Sequence, residues 1–257
     1  MSRKKEKDTM INEKMASDLR ALGIKSDDTV LVHSSMKSLG YVEGGPDTVI
    51  DTLMHVLSEG TLLLPALSFK TVRPETPEFS VKDTPSCVGL ISETFRKREG
   101  VYRSVHPSHS VCAIGKYAKE MTEKHINSTT PVGPDSPFAL LPKYNGKVLM
   151  LGCTLTPNTS MHGVEEAAGV YYVLSEETYP YKLTLEDGTV VEKNYQVHNL
   201  NGNGIGQRYI RLANFMQITF GKVLEANCHL IDAKTMWEVG CEQLAKNELA
   251  FGELVKR

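Results

Sequence analysis

The sequence lacks the features that would direct a protein into a membrane, out of the cell or onto nucleic acid. Its longest apolar run, residues 62–67, is interrupted by Pro65 and falls far short of the roughly 20 apolar residues of a membrane-spanning helix. The charged stretch 2–8 has no apolar segment behind it of the kind that a secretory signal requires. Because 29 basic residues face 31 acidic ones, there is no net positive field to attract nucleic acid. We expect a cytoplasmic protein without membrane or nucleic-acid partners.

The sequence also lacks the cysteine spacing that is typical of disulfide-bonded or zinc-binding proteins. The five cysteines form an odd set without Cys-x-x-Cys spacing, so they predict neither a disulfide framework nor a structural zinc site but reduced core thiols. They are Cys87, Cys112, Cys153, Cys228 and Cys241. The chain is 40% apolar and 23% charged, which is typical of a globular protein. Since no Pro-, Gly- or Ser-rich linker divides it, residues 1–257 are predicted to form a single domain.

Helical and strand patterns alternate along the chain. Helices are predicted over residues 9–22, with Thr9 as cap, over 46–57 and 86–98, and in a closing segment capped by Asp232. Short apolar runs predict buried strands over residues 29–33, 62–67, 111–114 and 147–151, and 224–230 alternate as one more strand. Residues 181–185 and 189–193 flank Glu186-Asp187-Gly188, which is a hairpin signal. The pattern predicts an α/β fold whose sheet is mixed because it contains the hairpin.

Four polar stretches follow predicted strands, where open α/β sheets bind their ligands. They are residues 32–45, 103–110, 131–138 and 152–166. In the third, Ser136 can cap a helix that Pro137 opens. For the His33-Ser34-Ser35 part of the first, an ordinary strand-to-loop turn is the alternative.

The stretch 152–166 is chemically the most informative. Thr159 can cap a helix on which His162 shares a face with Glu165 and Glu166, three and four residues later. A histidine beside a carboxylate is an oriented base, and its ordinary titration range lies near neutral pH. The alternative is a helical turn whose acidic residues complement the helix dipole. From spacing alone, either glutamate can orient the ring.

The His106-Pro107-Ser108-His109 segment suggests a second chemistry. His-x-x-His spacing can ligate a metal, although the proline interrupts helical geometry and no third ligand is spaced nearby. A metal-dependent hydrolase built on His106, His109, His162 and Glu165 therefore remains an alternative outside acyl transfer.

Taken together, these stretches resemble the aminoglycoside N3-acetyltransferase family, also called the antibiotic N-acetyltransferases. The matching segments lie at residues 18–24, 32–35, 39–45, 60–65, 103–110, 133–138, 159–165 and 221–230. Each is weak alone, but their order and spacing are specific and extend over nearly the whole chain.

The resemblance implies a three-layer α/β/α domain, distinct from the common acetyltransferase (GNAT) fold, and direct acetyl transfer from acetyl-CoA to an amine without a metal. It implies His162 as general base, Glu165 as its orienting partner, and Thr159 as a donor to the thioester oxygen or a helix cap. Coenzyme A is expected to be held by His33, Ser34, Ser35, Ser38, Leu39, Ser104, Val105, His106, Ser110 and Phe138.

The acceptor side is less specific. An aminoglycoside or related amino sugar needs carboxylates around the cleft, and the candidates are Glu43, Asp83, Asp135 and Glu166. Residues 68–85 and 170–196 are expected to form the wall. Two further alternatives stay open: the same fold and donor acting on another amine, such as an aminonucleotide or biosynthetic intermediate, and a non-catalytic CoA-binding protein. A homodimer is also left open.

Overall fold

The computed structural model describes residues 10–199 and 204–255. Its strands are β1 (Thr29–Ser34), β2 (Thr61–Pro65), β3 (Glu78–Ser80), β4 (Tyr102–Arg103), β5 (Val111–Gly115), β6 (Lys147–Leu151), β7 (Tyr179–Thr184), β8 (Val190–Tyr195), β9 (Ile205–Gln207), β10 (Thr219–Val223), β11 (Ala226–Asp232) and β12 (Gly252–Leu254). Its α-helices are α1 (Glu13–Ala21), α2 (Pro46–Val56), α3 (Leu90–Arg96), α4 (Ala118–Thr122), α5 (Pro137–Leu140), α6 (Ser160–Ala168) and α7 (Ala233–Lys246). Within these two ranges, no helix is long and apolar enough to cross a membrane.

A seven-stranded sheet in the order β10-β11-β6-β1-β2-β5-β4 forms the centre of the fold. Strand β1 pairs in parallel with β2 and β6, whereas β11, β10, β5 and β4 are added in antiparallel orientation. The predicted mixed sheet is therefore confirmed. Its three parallel strands read as continuous apolar runs because both of their faces are covered.

The two faces of the sheet bury different side chains, which gives the predicted three layers. Val30, Val32, Leu62 and Leu64 pack with residues of α1, α2 and α3. Leu31, Leu63, Val148 and Met150 point to the other face and pack with residues of α4, α5, α6 and α7. Alternate residues of one strand thus reach opposite cores, as the period of two requires.

The predicted hairpin exists, but it does not belong to the central sheet. Strands β7 and β8 pair antiparallel over Tyr179–Tyr195 and form a separate three-stranded sheet with β3. This small sheet has its own core around Phe79, Tyr181 and Tyr195. The central sheet is mixed because its outer strands are antiparallel. The prediction that the hairpin makes this sheet mixed was therefore wrong.

Helix ends follow the capping rules with two differences. The side chains of Ser136 and Asp232 accept hydrogen bonds from the N–H groups of Ala139 and Thr235, as predicted. Helix α1 is capped by Asn12, and the predicted cap Thr9 lies outside the described residues. Thr159 precedes α6 but makes no side-chain capping bond, so its role as cap was wrong.

Candidate active site

A cavity of about 710 Å³ opens at the carboxyl ends of the parallel strands. His33 and Ser34 from the end of β1, Pro65 from the end of β2 and Cys153 after β6 line it. Because β5 runs antiparallel to β2, the residues before β5, including His109, reach the same edge. The cavity lies where open α/β sheets place their ligands.

His162 lines this cavity from the first turn of α6. Its ring is hydrogen-bonded to the carboxylate of Glu165 and the phenol of Tyr209. Its Nδ1 lies 3.2 Å from Oε2 of Glu165 and 2.7 Å from the hydroxyl of Tyr209. Tyr209 donates its proton to the same Glu165 oxygen at 2.6 Å, so Nδ1 must carry the proton in this bond network. The nitrogen left unprotonated is Nε2.

Glu165 is a buried carboxylate with all its partners in place. Its side chain is 1% exposed, and Tyr172 donates to its second oxygen, Oε1, at 2.9 Å. Burial and the neighbouring Glu165 raise the pKa of Tyr209 well above its ordinary value, which keeps the phenol protonated as a donor. Two phenols and one imidazole therefore satisfy the carboxylate in place of water.

A second histidine–carboxylate pair lies beside the first. Nε2 of His198 is 2.7 Å from Oε1 of Glu166, an oxygen that also accepts the N–H of Val132 at 2.9 Å. The His198 ring lies 4.5 Å from the His162 ring and 4.7 Å from the His109 ring, centroid to centroid. Burial lowers the pKa of His198 well below its ordinary value and raises that of Glu166 to about 7.

Close helix packing fixes the position of α6. A Cβ at Gly163 would lie 2.5 Å from Val132 and 2.8 Å from Trp237 of α7, and one at Gly240 would lie 2.5 Å from Val164. The side chain of Asn158, two residues before α6, accepts the N–H of Ser160 at 3.2 Å. The two glycines bring α6 and α7 together and hold His162 at the cavity.

Comparison with known proteins agrees with this arrangement. The family described as aminoglycoside 3-N-acetyltransferase matches residues 31–245, which is most of the chain. The chain belongs to this family. A relative named SPbeta prophage-derived aminoglycoside N(3')-acetyltransferase-like protein YokD, from Bacillus subtilis (strain 168), is 30% identical over 249 residues, which cover 85% of this chain and 86% of that protein.

Two further comparisons bear on the family. Aminoglycoside N(3)-acetyltransferase VII of Streptomyces paromomycinus is 37% identical over 173 residues, 60% of each chain, so the match spans about 60% of that relative's length. The solved structure of AAC-IIIb in its binary complex with CoASH superposes with a TM-score of 0.77 at 25% identity, covering 92% of this chain and 97% of that one. The structural neighbours are AAC(3) acetyltransferases, as the fold prediction requires.

Of the residues that the family resemblance implied for coenzyme A, some line the cavity and others do not. His33 and Ser34 line the cavity. Ser35 and Ser38 lie in the turn that follows β1, where the Ser38 hydroxyl donates to that of Ser35 at 2.8 Å. Gly152, at φ +75°, allows β6 to end against this turn, since a Cβ there would lie 2.6 Å from Cβ of Ser38.

The remaining coenzyme A candidates do not line the cavity. Leu39 and Phe138 are buried in the two main cores, and Val105 packs against the core of the small sheet. Ser104 bonds His125 Nδ1 at 2.8 Å, Ser110 donates to the carbonyl of Ala66 at 2.8 Å, and Nδ1 of His106 accepts the N–H groups of Ser108 and His109. The side chains of these six residues make internal packing contacts and hydrogen bonds, and their part in binding coenzyme A stays a prediction.

The predicted acceptor carboxylates are also absent from the cavity lining in the described structure. Glu43 and Asp83 are exposed elsewhere, and Asp135 is half-buried. Glu166 is 6% exposed and bonded to His198. The carboxylate that does line the cavity is Glu75, which comes from the expected wall segment 68–85 together with Phe69, Val72 and Arg73.

Several site residues carry no signal in the local sequence. Tyr209, Tyr172 and His198 lie outside every motif and reach α6 only through tertiary packing. Cys153 lines the cavity, although its thiol was predicted to be a core group; burial raises its pKa to about 12, which keeps it a protonated thiol. All five cysteines are free.

The metal alternative finds no support in the geometry of the His106 and His109 rings. Nδ1 of His106 is occupied by two backbone N–H groups, and Nδ1 of His109 lies 2.8 Å from the Ser108 hydroxyl. Across residues 10–199 and 204–255, no group of three or more His, Cys, Asp or Glu residues is placed to hold a metal ion.

Proposed function

We propose that this protein is an acetyl-CoA-dependent N-acetyltransferase that transfers the acetyl group directly to an amine, with His162 as general base. The relatives are named as aminoglycoside N-acetyltransferases, so aminoglycosides are the acceptors to test first. Related amino sugars are the next class of acceptor. The proposal covers the reaction class and the donor, and it rests on family membership together with the geometry of the cavity.

The hydrogen-bond pattern around His162 is the observation that carries this proposal. Glu165 and Tyr209 engage Nδ1 from inside the protein, so the basic lone pair belongs to Nε2 on a ring that lines the cavity. An amine is mostly protonated at neutral pH and must lose a proton before it can attack a thioester. A fixed tautomer with a free Nε2 supports that proton transfer, and Glu165 supports the imidazolium that results.

The cavity fits the reactive end of acetyl-CoA, which supplies a thioester-activated acetyl group and a thiol leaving group. His33 is 9% exposed at the end of β1, and its Nε2 is buried without a partner, so an amide of a pantetheine arm is a suitable partner. Burial lowers the pKa of His33 to about 3, and the ring stays a neutral hydrogen-bonding group. Ser34 adds a hydroxyl at the same strand end.

Thr159 is a further lining residue that supports the same reaction. Its side chain lines the cavity and is not used as a helix cap. A hydroxyl near His162 can donate to the carbonyl oxygen as negative charge develops there. We assign Thr159 this role.

Acetyl-CoA binding and thiol release test the proposal. Calorimetry should show acetyl-CoA binding that is unchanged by EDTA, and a panel of primary amines should release CoA thiol with formation of the acetamide, identified by mass spectrometry. Failure to bind acetyl-CoA would reject the proposal. Binding without turnover of any amine would favour a CoA-binding protein without catalytic activity.

A further inference from the structure

The side chains of His198 and Glu166 form a buried pair beside the proposed base. Nε2 of His198 lies 2.7 Å from Oε1 of Glu166, and the two side chains are 3% and 6% exposed. Oε1 also accepts the N–H of Val132 at 2.9 Å, so we assign the proton of the His198 contact to Nε2. The carboxylate bonded to His162 is that of Glu165. Glu166 is therefore a second carboxyl group at the site, and the reaction proposed above assigns it no role.

The ring of His198 packs against the ring of His162. The ring centroids are 4.5 Å apart and the planes meet at 39°. The ring of Tyr209 meets the same imidazole at 77°, with centroids 5.3 Å apart. Glu165 and Tyr209 fix one atom of the imidazole, Nδ1, and the packed ring of His198 limits rotation of the plane about that atom. The contact with His198 thus helps to fix the direction of Nε2 of His162.

The backbone holds His198 in register with the chain that follows α6. His198 forms an antiparallel bridge with Leu174, and the N–H of Asn199 donates to the carbonyl of Val173 at 2.9 Å. The position of the His198 ring is therefore set by backbone hydrogen bonds as well as by Glu166.

The carboxyl group of Glu166 changes its charge close to neutral pH. Burial raises its pKa to about 7, whereas burial lowers the pKa of His198 well below its ordinary value and keeps that ring neutral. The positive charge that favours the ionised carboxylate is that of a protonated His162. Since the interaction is mutual, an ionised Glu166 also favours the imidazolium form of His162.

The other titratable groups around the pair supply no competing positive charge. They are Glu165, Tyr209 and His109. Glu165 carries a negative charge that disfavours ionisation of Glu166. Burial raises the pKa of Tyr209 and lowers that of His109, so both groups stay neutral. The charge of Glu166 is thus directed to His162.

We infer that Glu166 and His198 form a second positioning pair for His162, in which His198 fixes the plane of the ring and Glu166 stabilises the imidazolium that forms during the reaction. This inference rests on the proposed acetyl transfer. In that step the amine lone pair forms a bond to the thioester carbon while the C–S bond breaks with its electron pair on sulfur. The nitrogen of an ammonium substrate loses two protons through Nε2 of His162; one ends on the thiol and the other reaches solvent. Glu166 and His198 exchange no atoms with the substrate.

Glu166→Gln tests the charge without removing the contacts. The amide has nearly the same shape, and its oxygen can still accept from His198 and from Val132. The ratio of wild-type kcat to variant kcat is to be measured by CoA thiol release, with the best amine of the panel at saturation. At pH 5.5 the wild-type carboxyl is mostly protonated, so the ratio should be about one. At pH 8.5 the carboxylate is ionised, and the ratio should rise to about three- to tenfold.

Two variants of His198 test the packing contact. His198→Ala removes the ring that covers His162, and we expect kcat to fall about tenfold because Nε2 loses its fixed direction. His198→Phe keeps an aromatic ring in that place. At pH 5.5, where Glu166 is mostly uncharged, His198→Phe should therefore recover most of the kcat that His198→Ala loses. The acetyl-CoA dissociation constant should change little in either variant.

His125→Gln is the matched control for the loss of a buried side chain. The ring of His125 contacts His106 and the hydroxyl of Ser104 and is not part of the cavity lining. The ratio of wild-type kcat to that of His125→Gln should stay constant from pH 5.5 to pH 8.5. Circular dichroism at each pH verifies that the compared proteins are folded.

The protonation of His162 provides a readout that needs no turnover. NMR signals of the imidazole rings report the protonated fraction, and those of His162 are identified by their absence in His162→Ala. Between pH 6.5 and pH 7.5, this fraction should be smaller in Glu166→Gln than in wild type and unchanged in His125→Gln.

The outcomes separate this inference from the proposed function. A kcat ratio for Glu166→Gln that stays constant with pH, or equal protonation of His162 in the two proteins, would overturn the inference and leave acetyl transfer intact. Equal kcat values for His198→Ala and wild type would also overturn it. Absence of thiol release with every amine would reject the proposed function, and the NMR comparison would then decide whether Glu166 supports a charge on His162.

Discussion

The hydroxyl of Tyr209 lies 2.7 Å from Nδ1 of His162, although 47 residues separate the two in the sequence. The same hydroxyl donates to Glu165, so one phenol contacts both members of the histidine–carboxylate pair. Tyr209 begins a short helical turn after β9 and is completely buried. His162, Glu165 and Tyr209 therefore form a cluster of three mutually bonded residues, of which the sequence motif contains two.

Removing the proposed base, His162, should separate catalysis from binding. We expect His162→Ala to lower kcat by ~10²- to 10⁴-fold, the usual range for a positioned proton acceptor. The acetyl-CoA dissociation constant should change little, because the proposed base acts on the amine. Stopped-flow or steady-state thiol release gives the rate, and calorimetry gives the affinity.

The melting temperature is the control for the His162→Ala experiment. A histidine with only a structural role would reduce the melting temperature while turnover per folded molecule stayed normal. A folded His162→Ala protein with near-normal kcat would remove His162 from the mechanism.

Tyr209 should act through His162 and Glu165. Tyr209→Phe removes one hydrogen bond from the pair, and we expect kcat to fall about tenfold, in line with ~1 to 1.5 kcal/mol for such a bond. Glu165→Gln should also lower kcat. Because the residues act as a unit, the effects of the two changes should be less than multiplicative when they are combined and should nearly vanish in a His162→Ala background.

Tyr172→Phe is the matched control for Tyr209→Phe. Tyr172 donates to the other oxygen of Glu165, Oε1, whereas Tyr209 also contacts the His162 ring. We therefore expect a smaller reduction of kcat in Tyr172→Phe at a similar loss of stability. Equal effects of the two variants on kcat would assign Tyr209 a role in Glu165 burial alone.

Local sequence patterns predicted the parts of this structure that depend on neighbours in the chain. Strand β6 has the predicted bounds, residues 147–151, because turn residues border a continuous apolar run. The spacing of His162 and Glu165 on one helix predicted their contact. It left Glu166 as an equal candidate, and the structure distinguishes the two because Glu166 turns toward His198.

Patterns of this kind could not predict contacts made by distant segments. Ser104 and Ser110 follow the rule that polar residues after strands bind ligands, yet their hydroxyls bond His125 and the Ala66 carbonyl inside the protein. A polar residue near a strand end can satisfy a buried group as well as a ligand. The sequence does not distinguish these outcomes, nor does it show that Tyr209 and His198 pack against α6.

Glu166 should make stability depend on pH above the ordinary range of a carboxyl group. Burial raises its pKa from 4.5 to about 7, so the folded state keeps a proton that the unfolded state has lost. The contribution of this group to stability therefore falls as pH rises from about 4.5 to about 7. Glu166→Gln cannot ionise, and its melting temperature relative to wild type should rise between pH 5 and pH 8. A constant difference across that range would show that Glu166 ionises normally.

Buried imidazoles should have the opposite effect on the acid side. His125 is completely buried, its ring lies 4.9 Å from that of His106, and burial lowers its pKa from 6.5 to about 3. Between these values the unfolded state binds a proton that the folded state rejects, so stability falls as pH decreases from 6.5. At pH 5 the loss from this one group is about 2 kcal/mol, from 1.36 kcal/mol per pH unit.

His125→Gln tests this contribution because the variant has no imidazole to titrate there. Its free energy of unfolding, from urea denaturation at pH 7.5 and pH 5, should change less between the two values than that of wild type does, by about 2 kcal/mol. His125 does not line the cavity, so kcat at pH 7.5 serves as the measure of an intact site. Parallel pH dependences in the two proteins would mean that His125 is protonated in the folded state at pH 5, with its hydrogen bond to Ser104 rearranged to accommodate the charge.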